Sequence, residues 1–168
     1  MKQTFNDPEK SWERITVTLS LIIRRESVLM GEILGGTIKG FITPPGGKKN
    51  PGDNNIKATA DREMLEETGL TGLDGEEVAK VTIKIRGRRR VILLHVFKYT
   101  HWVGRLKVET REFSYLRFFP IKSIPWDKLA HGDETWMKSV LTGKRLNAVV
   151  LCGEDRTKVE KITIKYKE

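Results

Sequence analysis

Arg62-Glu63-Met64-Leu65-Glu66-Glu67-Thr68-Gly69-Leu70 is the stretch on which the reading of this 168-residue chain turns. Asn54 and Asn55 ahead of it offer helix N-caps and Gly69 offers a C-cap, so Ile56–Thr68 is predicted as a helix. On such a helix Glu63, Glu66 and Glu67 share an arc of about 100° on one face. Like charges three and four residues apart repel by a few tenths of a kcal/mol per pair. A helix selected for stability alone would place a lysine among them. A hard cation removes the repulsion, because Mg²⁺ takes carboxylate oxygens together with substrate phosphates. An isolated acidic helix face is ordinarily just solvated, so the assignment depends on what surrounds it.

Upstream, residues 35–52 are dense in glycine and carry Pro44, Pro45 and Pro51, which predicts a long loop. Long loops inside a compact domain are usually functional. Within it, Gly46-Gly47-Lys48 would bring bare backbone close to the same cation and phosphate. Further upstream, Ile15, Val17, Leu19, Leu21 and Ile23 interleave with Thr16, Thr18, Ser20 and Ile22, the pattern of a largely buried strand. Residues 27–30 continue the sheet. Downstream, β runs are predicted at 77–85, 91–99 and 113–119, a second helix at 133–143, and a final hairpin of 147–152 with 159–166 around Gly153-Glu154-Asp155. Strands interleaved with two separated helices predict an α+β sandwich.

The composition, 38% hydrophobic and 32% charged, is that of a soluble globular chain, and the length suits one domain over residues 1–168. Residues 1–13 read as a polar lead-in without the apolar core of a signal peptide. No apolar run is long enough for a bilayer. Cys152 is the single cysteine, so no intrachain disulfide is expected, and the expected location is cytoplasmic. The net charge of +9 favours anionic partners, nucleotides and RNA among them. Arg86, Arg88, Arg89 and Arg90 around Gly87 read as a solvated turn or as an electrostatic funnel for a polyphosphate. No segment marks an obligate protein partner.

Gly47-x5-Asp53-x8-Arg62-Glu63-Met64-x-Glu66-Glu67-x-Gly69-Leu70 resembles the signature of the Nudix hydrolases, G-x5-E-x7-R-E-U-x-E-E-x-G-U. It departs in two places: Asp53 stands for the first glutamate, and one extra residue precedes Arg62. The resemblance implies an α/β/α Nudix sandwich with a mixed sheet, and a Mg²⁺-dependent enzyme (Mn²⁺ as a possible substitute) cutting a phosphoanhydride bond. It further implies that Glu63, Glu66 and Glu67 hold the metal beside the Gly46 carbonyl, that Arg62 orients a carboxylate, and that Gly47 and Lys48 meet the substrate. Glu66 and a distal glutamate remain alternatives for the general base.

A looser likeness extends to the MutT-like branch that hydrolyses oxidised purine nucleoside triphosphates. It rests on Val28-Leu29-Met30-Gly31, His95-Val96-Phe97 and Glu109-x-x-Glu112, and the likeness implies Glu112 as a candidate further metal ligand, a plain surface glutamate being the alternative. It also rests on Ile124-Pro125-Trp126 with Gly132-Asp133-Glu134-Thr135-Trp136, where the branch reads the purine with paired aspartates. Here Gly132 replaces the first aspartate, Ala130 the stacking tryptophan and Thr43 the base-reading asparagine. Asp133 is therefore either a base-reading group or a helix N-cap. The function implied is NTP or dNTP plus water giving NMP or dNMP plus pyrophosphate, with oxidised purines such as 8-oxo-dGTP among the substrates. The alternatives are a pyrophosphohydrolase of RNA 5′ ends and a non-catalytic nucleotide-binding Nudix module.

Overall fold

The computed structural model describes residues 8–36 and 38–168. A nine-stranded sheet, in the path β11-β10-β6-β7-β1-β2-β3, carries the fold, with β4 paired to β1 and β9 paired to β2. The strands are β1 (Glu13–Arg24), β2 (Ser27–Ile33), β3 (Ile42–Thr43), β4 (Gly46–Lys48), β5 (Leu70–Gly72), β6 (Glu76–Ile85), β7 (Arg90–Tyr99), β8 (Trp102–Gly104), β9 (Phe113–Pro120), β10 (Arg145–Cys152) and β11 (Val159–Lys167). The helices are α1 (Ile56–Thr68) and α2 (Asp133–Leu141). Strand β1 runs parallel to β7, and β6 parallel to β10, while β6–β7, β10–β11, β1–β4 and β2–β9 are antiparallel. The sheet is therefore mixed, and β5 and β8 form a separate short pair.

Burial on both faces explains why Thr18 and Ser20 are as hidden as the aliphatic residues around them. Leu19 and Leu21 point into one core, shared with Trp136, Met137 and Val140 of α2. Ile22 points into a second core, shared with Ala60 and Met64 of α1 and with Phe97, Tyr99 and Phe113. The two helices thus lie against opposite faces of the sheet.

Helix α1 has the caps its sequence predicts. The Asn55 side chain accepts from the Ala58 N–H at 2.8 Å, and Gly69, at φ 79°, donates its N–H to the Leu65 carbonyl at 2.9 Å. Three expectations need correction. The stretch 35–52 is not loop throughout, because β3 and β4 lie inside it. β4 survives as a strand because Gly46 and Gly47 pair with Leu19 and Thr18 of β1, a partner far away in sequence that no local pattern reveals. Helix α2 stops at Leu141 rather than at 143, since Thr142 leaves the helix and Gly143 turns left-handed at φ 96°. The polar lead-in is shorter than 1–13: Pro8–Ser11 form a 3-10 turn and Glu13 already belongs to β1, and residues 1–7 fall outside the described residues. No helix among the described residues is long and apolar enough to cross a membrane.

Candidate active site

Strand β4 lies between β1 and the carboxylate face of α1, and its two glycines are there because nothing larger fits. A Cβ on Gly46 would collide with the Thr18 carbonyl and the Leu19 Cα, and one on Gly47 would collide with the Glu63 carboxylate. The close approach lets the Gly46 N–H donate to Glu67 Oε2 at 2.8 Å. Glu67 is only 7% exposed. Burial, and then the fields of Glu63, Glu112 and Glu66, push its carboxyl up to about 8, although the Gly46 N–H works against the shift. Glu63 is raised for the same leading reason, with its ion pair to Arg62 opposing. Glu66 differs: its side chain is 58% exposed and its Oε2 lies 3.1 Å from Arg62 Nη1. Glu112, exposed just ahead of β9, contributes to the field on Glu63 and Glu67.

Arg62 is the brace. Its Nε and Nη2 donate to Asp53 Oδ1 and Oδ2 at 2.9 and 3.0 Å, Nη2 also reaches the Lys48 carbonyl at 3.1 Å, and Nη1 donates to Glu63 Oε1 at 2.9 Å. Asp53 also accepts from the Asn50 N–H and the Thr59 hydroxyl, and this hydrogen bonding, led by Arg62, holds its carboxyl well below the usual range. A shorter side chain and one added residue still give a two-pronged clamp, because the turn at Asn50–Asp53 brings Asp53 to the helix.

The donors suit a hard divalent cation: carboxylates that raise one another's affinity for positive charge, beside a glycine backbone with no Cβ in the way. Among the described residues, no three acidic, histidine or cysteine side chains close into a cage. Mg²⁺ asks for no such cage, taking one or two carboxylates and completing its shell with water and substrate phosphate. Gly47→Ala is expected to push the Glu63 carboxylate aside and lower kcat/KM at least tenfold, while Gly46→Ala, clashing with backbone, costs roughly 1–3 kcal/mol of stability. Paired activity and thermal-unfolding measurements check both. Wild-type values for the two variants would show that β4 does not crowd α1.

A cavity of about 440 Å³ starts at this cluster. Thr43, Gly46, Gly47, Lys48, Glu67 and Glu112 line one end, aliphatic side chains such as Ile83, Ile92 and Leu94 line its middle, and Asp133 lies at the other end. Of the residues singled out in the sequence, Arg62, Glu63 and Glu66 are not part of this lining. Asp133 is not the N-cap of α2. Gly132 holds that position at φ 90°, and Asp133 is the first helical residue, its carboxylate accepting from Trp136 Nε1 at 3.3 Å. Sequence reasoning missed Arg156, whose Nη2 lies 3.4 Å from Asp133 Oδ1 and which lines the cavity. A lone arginine in a polar turn reads as solvated, and nothing local marks it otherwise. Of the arginine-rich turn, Arg86 is ion-paired with Glu160 and Arg90 with Glu13, while Arg88 and Arg90 line the cavity.

The fold and the glycine–carboxylate contact define a phosphoanhydride hydrolase of one class. The chain belongs to the Nudix family, whose model, described as NUDIX domain, matches residues 14–141. It is a Nudix hydrolase, a family that acts on phosphoanhydride bonds and generally uses divalent metal ions. Among its relatives is a Danio rerio protein named oxidized purine nucleoside triphosphate hydrolase, 29% identical over 131 residues and covering 77% of this chain and 81% of that protein. A Mus musculus protein of the same name is 29% identical over 128 residues, covering 76% and 80%. The crystal structure of a MutT protein from Bacillus halodurans superposes with a TM-score of 0.78 at 24% identity, covering 90% of this chain and 97% of that one.

Proposed function

We propose that this Nudix hydrolase is a Mg²⁺-dependent nucleoside triphosphate pyrophosphohydrolase, converting NTP or dNTP and water to NMP or dNMP and pyrophosphate, with purine nucleotides, oxidised ones included, as substrates. The observation that carries the reading is the single cavity joining the glycine–carboxylate end, through an aliphatic middle, to the polar end at Asp133. Its dimensions and polarity suit a nucleotide whose phosphates lie at Gly46–Gly47 and whose base lies in the far half. The names of the zebrafish and mouse relatives agree with it.

Glu63, Glu67 and Glu112 are the residues that would hold the cation, with the Gly46 carbonyl beside them. When bound, the ion supplies charge for the phosphate oxygens and acidifies water. The chain's own groups do the rest. Gly46 and Gly47 leave room for phosphate, Lys48 adds a cationic donor, and the Arg62–Asp53 clamp keeps Glu63 in place. The carboxylate that takes a proton from attacking water is Glu66 or, as the distal alternative, Glu112.

The test is a nucleotide panel (dGTP, 8-oxo-dGTP, dATP, dCTP and UTP) assayed for pyrophosphate release with Mg²⁺ and with Mn²⁺. Release of pyrophosphate and monophosphate from the purine triphosphates is the expected result. Turnover of 5′-triphosphorylated RNA with none of free triphosphates would move the assignment to RNA ends, and no turnover of any would leave a nucleotide-binding module.

A further inference from the structure

The far end of the cavity contains a charge pair that the phosphate chemistry does not use. Arg156 stands in the turn between β10 and β11, with Asp155 and Thr157, which also line the cavity. Its side chain is 17% exposed, and Asp133 opposite is 10% exposed. Hiding a guanidinium is costly unless its donors find acceptors. Arg156 has five N–H donors, yet among the described residues its one hydrogen bond is the 3.4 Å contact to Asp133 Oδ1, long for a charge-assisted bond. Asp133 Oδ1 is also taken by Trp136 Nε1, and Oδ2 has no partner among the described residues. This end of the cavity therefore offers several free N–H donors and, on Asp133, one free carboxylate oxygen. Arg88 and Arg90 add two more guanidiniums to the lining, Arg90 being paired with Glu13, whereas Asp155 takes both the Thr157 N–H and hydroxyl on Oδ1. Donors outnumber acceptors, so the site seeks a ligand edge rich in acceptors.

Position 132 sharpens the point. A second aspartate there would need a side chain on a residue at φ 90°, with its Cβ pressed against Val150 and Val159. The backbone disfavours a carboxylate at 132, and the free hydrogen-bonding group next to Asp133 is a cationic fork.

Resting on the nucleotide reading above, we propose that Arg156, braced by Asp133, is a specificity residue that grips the carbonyl edge of a 6-oxopurine and disfavours adenine. Guanine offers O6 and N7 as adjacent acceptors that match a guanidinium fork, whereas adenine sets an amino donor at the 6-position against it. Oxidation at C8 adds an O8 acceptor but turns N7 into an N–H donor, so an 8-oxopurine keeps O6 for the guanidinium and loses the second prong at N7.

Two measurements test this, one of them independent of turnover. Calorimetric binding of GMP and AMP should favour GMP by roughly 5- to 150-fold, the discrimination of one bidentate guanidinium–base pair. Arg156→Met should reduce the ratio to within about threefold by weakening GMP, with AMP little changed. Arg156→Lys, which keeps the charge but not the fork, should recover only part of it. In turnover, the loss should appear in KM for dGTP, with kcat kept, because contacts to the base are made equally in the ground and transition states. Arg156→Met leaves Asp133 buried and unpaired, so the double variant Arg156→Met/Asp133→Asn serves as the folded control and should show the same lost preference. Equal affinity of the wild type for GMP and AMP overturns the proposal. So does an unchanged ratio in a folded Arg156→Met, or an equal loss for both nucleotides, which would make Arg156 a general anion attractor. If the wild type hydrolyses no triphosphate but binds GMP over AMP through Arg156, the proposed reaction fails while this inference stands.

Discussion

Glu67→Gln is expected to lower kcat by roughly 10²- to 10⁴-fold, the scale of a lost general base or electrostatic clamp, without loosening the metal-free fold. Both halves follow from one environment. The carboxyl is buried against β4 and raised to about 8, so near neutrality and without metal it is largely protonated. A glutamine copies that neutral form in shape and still accepts from the Gly46 N–H. It cannot supply the negative charge that a divalent cation requires. The pH dependence has a definite sign. The folded-state value lies above the unfolded one, so the folded protein binds the extra proton, and the associated stability is fully present below glutamate's ordinary 4.5 and lost as pH rises to about 8. Over that window the metal-free wild type should lose on the order of a few kcal/mol. Glu67→Gln should flatten much of the slope, with the raised Glu63 accounting for part of what remains. Thermal unfolding in chelator across pH 4.5–8, alongside turnover with Mg²⁺, checks both. A variant with wild-type turnover would remove Glu67 from the catalytic machinery, and an undiminished pH slope would show that Glu67 is ionised in the metal-free fold.

The largest stability loss is expected at Trp136. Its side chain is fully buried in the core between α2 and the sheet, and its Nε1 donates to Asp133 Oδ1. Trp136→Ala removes the indole from a core that can only partly collapse, a cost of about 3–5 kcal/mol. For a chain of this length, that lowers Tm by roughly 6–20 °C. Trp136→Phe keeps most of the ring volume but drops the donor, so it should cost less while loosening Asp133. The comparison separates packing from the hydrogen bond. If Trp136→Ala costs less than about 1 kcal/mol, α2 does not anchor this face of the sheet.

Much of the site was legible in the sequence because its signals are local. The Asn55 cap, the Gly69 cap and the register of Glu63, Glu66 and Glu67 all lie within four helical turns, where spacing fixes direction. The same holds for the strand periodicity from Ile15 to Ile23 and for the terminal hairpin. Family resemblance supplied the meaning of the carboxylates, and Asp53 shows how far a departure can go when its replacement still reaches both arms of Arg62.

What the sequence by itself determined is therefore the inventory: a capped helix with three acidic residues on one face, a glycine pair ahead of it, and a mixed set of strands. The tertiary structure alone decided which members act together. The three glutamates are alike in sequence, yet Glu67 is buried, Glu63 is wedged against Gly47 and Glu66 faces solvent. β4 reads as a loop until β1 supplies its hydrogen-bond partners. Asp133 reads equally as a helix cap or a base-reading group until Gly132 takes the cap position and Arg156, 23 residues on, closes against its carboxylate. Helix caps and side-chain periodicity depend on neighbours within a few residues, whereas burial, desolvation and ion pairing depend on groups brought together from distant parts of the chain by packing.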